Sequence, residues 1–300
     1  MKIGIIGAGA WGTALANIAA HSGNQVVLWA YDDKDEINQK HRNSRLPGVV
    51  ISHEITATDK ISDISGTDGW LIVTPTAFFK DMIKKARPFW KKQPIIICSK
   101  GIEPKSNQLL SDVVSEVIPG SEKYIGILSG PQFAGEAARG KPTGSTIAGS
   151  PKVRVFAHKA LNSIYLEDTS DINGVQICGA GKNAIAILLG YLDAMGAGEN
   201  ERALNLTLAW REIIQFGRLF GAKMDTFNML CGVGDLFLTA SSKTSRNYSA
   251  GVSIGKKEKL SGTIEGLAAL KWIIKTSRSN KLNLKNLENF YESNSSFFKG

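Results

Sequence analysis

The sequence predicts an α/β N-terminal domain, built on a doubly wound and mainly parallel sheet, followed by an all-α C-terminal domain. Short apolar, strand-like segments alternate with helix-like segments through the first half of the 300-residue chain. A strand–helix–strand alternation is typical of parallel sheets with helices on both faces. From about Gly174 the strand signals stop and only helical periodicity continues. We therefore place the domains at residues 1–172 and 173–300.

The individual elements follow from apolar runs and from the turn residues that end them. The first strand, residues 2–6, leads through a glycine-rich turn into a helix over residues 13–21. Further strands are predicted at residues 25–29, 70–74, 95–98, 125–128, 145–148 and 163–166. Helices of the second domain are predicted at residues 177–195, 202–220, 226–230 and 264–275. The tail from Ser277 is polar and rich in Asn, Ser and Lys, and it predicts no clear element.

The composition excludes several classes of protein. The net charge is +9, but the basic residues are dispersed, and those at residues 80–92 flank an apolar helical stripe. No recognition helix or stacking surface is evident, so we do not expect nucleic-acid binding. We expect no membrane span, because the apolar stretch at residues 172–192 is interrupted by Lys182 and several glycines. The three cysteines have neither metal-like nor disulfide-like spacing, which favours a reducing, cytoplasmic location without a metal site.

The glycine turn after the first strand is the most informative motif. Gly7, Gly9 and Gly12 stand between a strand and a helix, the context in which a G-x-G-x-x-G match indicates dinucleotide binding on a Rossmann fold. Gly7 allows a tight turn, Gly9 lets a pyrophosphate approach the backbone, and Gly12 lets helix and strand pack closely. The helix N-terminus then faces the anion. We expect NAD or NADP as the cofactor.

Lys182 is a candidate proton carrier. It is the one charged residue between Asp171 and Asp193, in a helix that is otherwise largely apolar. Burial would lower the pKa of its amine, as acid–base chemistry near neutrality requires, whereas a snorkelling lysine would reach water. Both interpretations stay open at this point. Asn183 is placed to orient the amine or a substrate hydroxyl, and Lys100 follows a strand at the sheet edge where ligands bind.

Two further segments are candidates for substrate binding. Gly232 and Gly234 permit an unusual turn that would direct Asp235. Ser245, Arg246 and Asn247 offer a planar guanidinium flanked by neutral donors, which suits a phosphate, although the same three residues also suit an ordinary helix start. No histidine accompanies a glycine-rich or carboxylate-bearing motif, so lysine is the preferred proton carrier over histidine.

Taken together, these motifs resemble bacterial NAD(P)-dependent glycerol-3-phosphate dehydrogenases. The matching segments keep their order over residues 1 to about 270: GAGAWGTALA from residue 7, LP at 46–47, CSKGIE at 98–103, SGPQFA at 129–134, GAGKN at 179–183, GVGDL at 232–236, SRN at 245–247 and EG at 265–266. The resemblance implies reduction of dihydroxyacetone phosphate to sn-glycerol 3-phosphate, a precursor of phospholipids. It implies a small phosphorylated substrate, and we keep a homodimer as the candidate assembly.

The resemblance also implies roles for individual residues, with Lys182 as proton donor and acceptor. Residues expected to contact the cofactor, besides the three glycines, are Ala10, Trp11, Tyr31, Lys100, Ala134, Arg246 and Glu265. Residues expected to contact the substrate are Lys100, Gly130, Gln132, Lys182, Asp235, Ser245, Arg246 and Asn247. We expect Lys182, Lys100 and Asp235 to form the catalytic group, because nearby cations stabilise the oxyanion that develops as the ketone is reduced.

The chain also departs from the family pattern. Tyr31 stands where the family commonly has arginine after the second strand, and no arginine is adjacent in sequence, so we expect use of both NADH and NADPH with only modest preference. Gly181 replaces a larger residue and is expected to loosen its helix, Trp210 falls within a segment that lacks an expected arginine, and the tail beyond Ser277 differs from the usual ending. Two alternatives stay open: a two-domain β-hydroxy acid dehydrogenase, and a non-catalytic nucleotide-sensing module.

Overall fold

The computed structural model of the protein describes residues 1–241, 245–260, 262 and 264–298, which fold into two compact units. The first unit comprises Met1–Ser99 and Gln108–Ile172. The second comprises Lys100–Asn107 together with the chain from Asn173 onward. Residues 100–107, which the sequence-based division assigned to the first domain, therefore fold with the second unit.

Among the described residues of the first unit, eight strands form one sheet in the order β3-β2-β1-β4-β5-β6-β7-β8. All neighbouring strands run parallel except β6 and β7, which confirms the prediction of a doubly wound, mainly parallel sheet. The strands are β1 Lys2–Ile6, β2 Gln25–Trp29, β3 Ile55–Thr58, β4 Gly69–Ile72, β5 Ile95–Ile97, β6 Ile125–Ser129, β7 Gly144–Gly149 and β8 Tyr165–Thr169. The edge strand β3 was not predicted, because its Ile-Thr-Ala-Thr sequence contains no apolar run.

The sequences of the strands are largely apolar runs, because most strands are buried on both faces of the sheet. The helices that cover them are α1 Ala10–His21, α2 Lys34–Lys40, α3 Thr76–Ala86, α4 Leu110–Val117, α5 Ala134–Ala138 and α6 Pro151–Ala160. On α3, Phe79, Met82 and Ile83 are buried while Lys84 and Lys85 are exposed, so the predicted solvated basic face is confirmed.

The regular secondary-structure elements of the second unit are all helical in its described residues. Its helices are α7 Ile172–Ala194, α8 Glu199–Arg218, α9 Asp235–Ser241, α10 Arg246–Gly255, α11 Glu265–Ser279 and α12 Lys285–Ser293. The predicted helix at 226–230 is instead a short 3₁₀ turn, Met224–Asn228, and a π-helical turn, Leu230–Gly234, follows it. Helices α9 and α12 were not predicted, and α10 was indicated only by the alternative of a helix start at residues 245–247, because each of the three spans at most ten residues and its apolar period is correspondingly short.

Helix α7 is the central helix of this unit. A Cβ built on Gly190 would lie 2.0 Å from the Tyr248 carbonyl oxygen, and one on Gly251 would lie 2.0 Å from that of Ile187, so α7 and α10 pack backbone against backbone. Within the described residues, α7 is the one helix long and apolar enough to cross a membrane, yet 89% of its most apolar window is buried inside the protein. This burial is that of a core helix.

Gly181 lies on α7 at a close contact with α8. A Cβ there would come within 2.5 Å of the Ile213 side chain on α8, so the glycine allows the two helices to pack closely. The glycine thus brings α8 against the segment that carries Lys182, while its predicted loosening of α7 stays a prediction.

The tail after Ser277 is helical and well anchored. Helix α12 begins at Lys285, and the Glu212 carboxylate on α8 accepts hydrogen bonds from the backbone N–H groups of Asn286 (2.6 Å) and Leu287 (2.9 Å). Leu287 and Phe290 are buried. A carboxylate at a helix N-terminus satisfies donors that have no intrahelical partner and interacts favourably with the helix dipole.

Candidate active site

The turn between β1 and α1 has the geometry that the glycine motif predicts. The Gly7 N–H donates to the Trp29 carbonyl oxygen at 3.1 Å, and the φ angle of Gly7 is +118°, in the region that favours glycine. A Cβ on Gly12 would lie 1.8 Å from the Gly7 carbonyl oxygen. Gly7 and Gly12 therefore allow the tight turn and the close packing of helix on strand.

Gly9 differs from its two neighbours because a Cβ built on it meets no protein atom within 4 Å. It is also the N-cap residue of α1, and no side chain caps this helix. The first N–H groups of α1 thus face open space beside Gly9, where an anionic group can approach the backbone. This arrangement fits the pyrophosphate of a dinucleotide.

Orphaned polar groups along the same edge of the sheet support that fit. Of the nine buried side-chain atoms without a hydrogen-bond partner among the described residues, three lie along this edge: Thr74 Oγ1, Ser129 Oγ and Gln132 Nε2. Thr74 follows β4, Ser129 ends β6 and Gln132 comes three residues later, so all three lie at or just beyond the carboxyl ends of parallel strands. Buried polar groups are normally paired, so these three atoms are candidate contacts for a ligand at this edge of the sheet.

The structure brings several of the predicted cofactor residues together. Ala10, Trp11 and Ala134 pack on one small apolar cluster with Leu46 and Val49. Tyr31, in contrast, is 85% exposed beyond the end of β2.

The predicted substrate residues of the first unit occupy a confined turn. A Cβ on Gly130 would lie 2.6 Å from the Gly144 carbonyl oxygen, so only glycine fits. Gln132 Oε1 accepts a hydrogen bond from Ser145 Oγ at 2.8 Å, which leaves the unpartnered amide nitrogen as its available donor.

In the second unit, two lysines share one buried carboxylate. Lys182 Nζ donates to Asp235 Oδ1 at 2.6 Å, and Lys100 Nζ donates to Asp235 Oδ2 at 2.5 Å. Lys182 also donates to Thr239 Oγ1 at 2.9 Å. The side chains of Lys182 and Asp235 are 8% and 2% exposed, whereas that of Lys100 is 21% exposed. Lys182 is therefore a buried, hydrogen-bonded lysine and not a snorkelling one.

Burial and pairing shift the pKa values of this cluster. Burial lowers the pKa of Lys182 to about 8, against an opposing attraction from Asp235. Burial alone would raise the pKa of Asp235, but Lys100 and Lys182 more than offset it, so the Asp235 pKa is lowered and the group is a carboxylate. A lysine that titrates near pH 8 can both donate and accept a proton under physiological conditions.

The segment at 245–247 is a helix start, as the alternative interpretation proposed. Ser245 is the N-cap of α10, and its Oγ accepts from the Tyr248 N–H at 3.4 Å. Asn247 Oδ1 accepts from the Gly266 N–H at 3.0 Å, which ties α10 to the start of α11. Arg246 is the first helical residue of α10. A helix start does not exclude anion binding, because helix N-termini and guanidinium groups both favour phosphate.

Glu265 belongs electrostatically to the same neighbourhood. Its pKa is raised by burial, and the positive charges of Arg246, Lys100 and Lys182 partly offset that effect. Asn183 is buried directly after Lys182 on α7. The second unit thus gathers Lys100, Lys182 and Asp235 by direct contact, with the charges of Arg246 and Glu265 close enough to influence them.

Two features of the site were missed from the sequence. Thr239 lies one helical turn after Asp235 on α9 and contacts Lys182, a position that i, i+4 spacing could have indicated once α9 was recognised. Arg45 lies beside Asp32 although the two are 13 residues apart. The statement that no arginine neighbours the end of β2 therefore holds in sequence and is wrong in space.

A glycine-turn nucleotide fold, joined to an all-α unit in which two lysines share one buried carboxylate, defines the class of two-domain dehydrogenases. Two protein-family models match the chain: NAD-dependent glycerol-3-phosphate dehydrogenase N-terminus over residues 2–154, and NAD-dependent glycerol-3-phosphate dehydrogenase C-terminus over residues 171–292. Together they cover most of the chain.

Individual proteins agree with the family models. A glycerol-3-phosphate dehydrogenase (NAD(P)+) from Erythrobacter litoralis is 40% identical over 85% of this chain and 78% of its own length. One from Carboxydothermus hydrogenoformans is 38% identical over 93% of this chain and 85% of its own length. The crystal structure of glycerol-3-phosphate dehydrogenase from Coxiella burnetii superposes with a TM-score of 0.87 at 29% identity, over 95% of this chain and 92% of that one.

The chain therefore belongs to the NAD-dependent glycerol-3-phosphate dehydrogenase family. The resemblance drawn from the sequence motifs is confirmed. Membership in this family identifies an NAD(P)-dependent glycerol-3-phosphate dehydrogenase, in place of the β-hydroxy acid dehydrogenase and the nucleotide-sensing module.

Proposed function

We propose that this protein interconverts dihydroxyacetone phosphate and sn-glycerol 3-phosphate with NADH or NADPH. The observation that carries the proposal is Lys182, buried on an apolar helix, bound to Asp235 and given a pKa of about 8. That combination supplies a proton near neutrality. The glycine turn of the first unit, with open space at Gly9, supplies the matching pyrophosphate site.

Each polar group of the second unit then has a defined task. Lys182 protonates the carbonyl oxygen during reduction and removes the same proton during oxidation. Asp235 holds both lysines through its two oxygens, and Lys100 adds positive charge where the oxyanion develops. The bound nicotinamide supplies or accepts the hydride.

Binding of the phosphate is proposed for the residues around the start of α10. Arg246 offers a planar fork of donors, and Ser245 and Asn247 flank it, with Asn247 fixed by Gly266. We further propose that Gln132 contacts the substrate through its unpartnered amide nitrogen, and that Asn183 orients the reacting hydroxyl. Ala10, Trp11, Tyr31, Ala134 and Glu265 keep their proposed roles toward the cofactor.

The proposed cellular setting is the cytoplasm, with glycerol 3-phosphate supplied to phospholipid synthesis and a homodimer as the assembly. Three buried cysteines, none of which forms a disulfide bond, are compatible with a reducing compartment. Sedimentation measurements on the purified protein test the assembly.

The catalytic proposal is tested by Lys182→Met, which keeps the apolar stem of the side chain and removes its amine. We expect kcat for dihydroxyacetone phosphate reduction to fall about 10²–10⁴-fold, as for loss of a general acid, while the Kd for NADH changes little. The matched control is Lys275→Met, at an exposed lysine on α11. A folded Lys182→Met variant with more than about a tenth of the parental kcat would contradict the assignment, and Lys100 would become the candidate acid.

A further inference from the structure

A cluster of charged residues lies just beyond the carboxyl end of β2. Arg45 forms a two-pronged ion pair with Asp32, with Nη1 to Oδ1 and Nη2 to Oδ2 both at 2.6 Å. Arg45 Nη1 also donates to Asp33 Oδ2 at 3.1 Å. The three side chains are between 27% and 48% exposed, so the cluster, here called the Arg45 cluster, is open to a ligand.

The fold holds this cluster beside the glycine turn. Gly7, the first residue of that turn, is hydrogen-bonded to the last residue of β2, so the chain that follows β2 emerges next to it. Asn43 fixes the other half of the cluster: its Nδ2 donates to the Ala8 carbonyl oxygen at 3.0 Å, and its Oδ1 accepts the Arg45 N–H at 2.9 Å. One asparagine thus connects the backbone of Arg45 directly to the glycine turn.

This position matters for dinucleotide binding. When a pyrophosphate lies on the glycine turn and the N-terminus of α1, the adenosine ribose lies past the end of the second strand. An acidic residue there accepts hydrogen bonds from the ribose hydroxyls of NAD, whereas an arginine there pairs with the 2′-phosphate of NADP. The Arg45 cluster contains both kinds of residue, already bound to each other.

We propose that Asp32 occupies the guanidinium fork of Arg45 and thereby masks a binding site for the 2′-phosphate, so that the protein selects NADH over NADPH. The proposal rests on the dinucleotide binding proposed above and refines its expectation of dual use. The guanidinium group of Arg45 has the geometry to bind a phosphate, but its two terminal nitrogens already donate to the Asp32 carboxylate.

The charges explain the direction of the preference. Asp32 and Asp33 contribute two negative charges against the single positive charge of Arg45, so a 2′-phosphate meets a net negative cluster. It also has to displace a two-pronged carboxylate, the geometry that guanidinium binds best. The ribose hydroxyls of NADH need only an acceptor, which Asp32 provides without leaving Arg45.

Two further properties make the cluster suitable for a test. The hydrogen bond from Arg45 lowers the pKa of the Asp32 carboxyl, which is therefore ionised at neutral pH. Because exposed ion pairs contribute little to stability, substitutions here should leave the fold intact.

The test measures dissociation constants by calorimetry, with adenosine 2′,5′-bisphosphate against adenosine 5′-monophosphate and with NADPH against NADH. We expect the parent protein to prefer NADH. Asp32→Asn keeps the shape of the side chain and removes its charge, so it should free Arg45 and tighten binding of adenosine 2′,5′-bisphosphate and NADPH about tenfold. Adding Arg45→Ala to that variant should abolish the gain.

The matched control is Glu116→Gln, which removes a carboxylate from the exposed ion pair with Lys80 and should leave the preference unchanged. The inference is overturned if the parent prefers NADPH, if Asp32→Asn leaves the ratio of the two dissociation constants where it was, or if the gain survives Arg45→Ala. Failure of the proposed function gives a different result. In that case the parent would bind dinucleotide but would not oxidise it with dihydroxyacetone phosphate, or would bind neither dinucleotide.

Discussion

Asp235→Asn tests the arrangement of charges in the second unit most directly. The substitution keeps the size of the side chain and removes the charge that both Lys100 and Lys182 contact. Because attraction to Asp235 raises the pKa of Lys182 while burial lowers it, losing the carboxylate leaves burial unopposed. The pKa of Lys182 should therefore fall below its present value of about 8.

The size of the fall follows from the distance between the charges. Lys182 Nζ lies 2.6 Å from Asp235 Oδ1, a direct ion pair. Two unit charges about 4 Å apart interact by about 4 kcal/mol at an effective dielectric constant near 20. One pKa unit corresponds to about 1.4 kcal/mol, so an interaction of this size corresponds to a shift of about three units. Thr239 still accepts from the amine and the site can rehydrate, so we expect a fall of at least about one unit.

The assay is the pH dependence of kcat in both directions. Reduction of dihydroxyacetone phosphate needs the protonated amine, so its rate should decline above about pH 8 in the parent protein and from at least one unit lower in Asp235→Asn. Oxidation of glycerol 3-phosphate needs the neutral amine, so its rate should rise with pH. This rise should also move to lower pH in Asp235→Asn. The control is Asp225→Asn, at an exposed aspartate of the same unit. A folded Asp235→Asn protein whose alkaline limb stays in place would refute the charge arrangement.

Three other outcomes are expected. Gly9→Val should fold normally, because its Cβ meets open space, but it should raise the Kd for NADH. The contrasting variant Gly12→Val should fail to fold, because its Cβ would strike the Gly7 carbonyl oxygen. Equal NADH affinity in Gly9→Val and in the parent protein would disprove the pyrophosphate placement. Arg246→Lys should raise KM for dihydroxyacetone phosphate, since lysine lacks the planar fork, and unchanged KM would point to another phosphate ligand. Glu212→Gln should lower the free energy of unfolding by about 1 kcal/mol, because it weakens the hydrogen bonds at the start of α12, and it should leave kcat unchanged. An unchanged melting temperature would argue that these hydrogen bonds do not stabilise α12.

The sequence predicted the elements whose local signals agree with their final environment. Strand β1 and helix α1 were recognisable because an apolar run, three glycines and a helical period follow one another without interruption. Helix α12 was not, because its stability depends on Glu212, 74 and 75 residues away from the backbone groups that it binds. An apolar run can be recognised in the local sequence, whereas a helix cap supplied by another helix depends on the tertiary structure.

The candidate site shows the same division. Local sequence identified Lys182 as an unusual lysine but left burial and exposure as equal alternatives. The choice between them comes from Asp235, 53 residues further along the chain, whose carboxylate makes burial of the ammonium tolerable. Arg45 escaped notice for a related reason: it reaches Asp32 only because Asn43 folds the intervening loop back on the glycine turn.

Lys100–Asn107 belongs to the second unit although the chain on both sides of it belongs to the first, and this bears on the origin of the protein. A gene fusion at residue 173 would join two halves at a single crossover, but it would deliver a helical half without Lys100, one of the two partners of Asp235. Residues 173–300 alone therefore lack part of the charged cluster around Asp235. Chimaeras that exchange the C-terminal half between relatives should therefore function best when residues 100–107 are exchanged together with it.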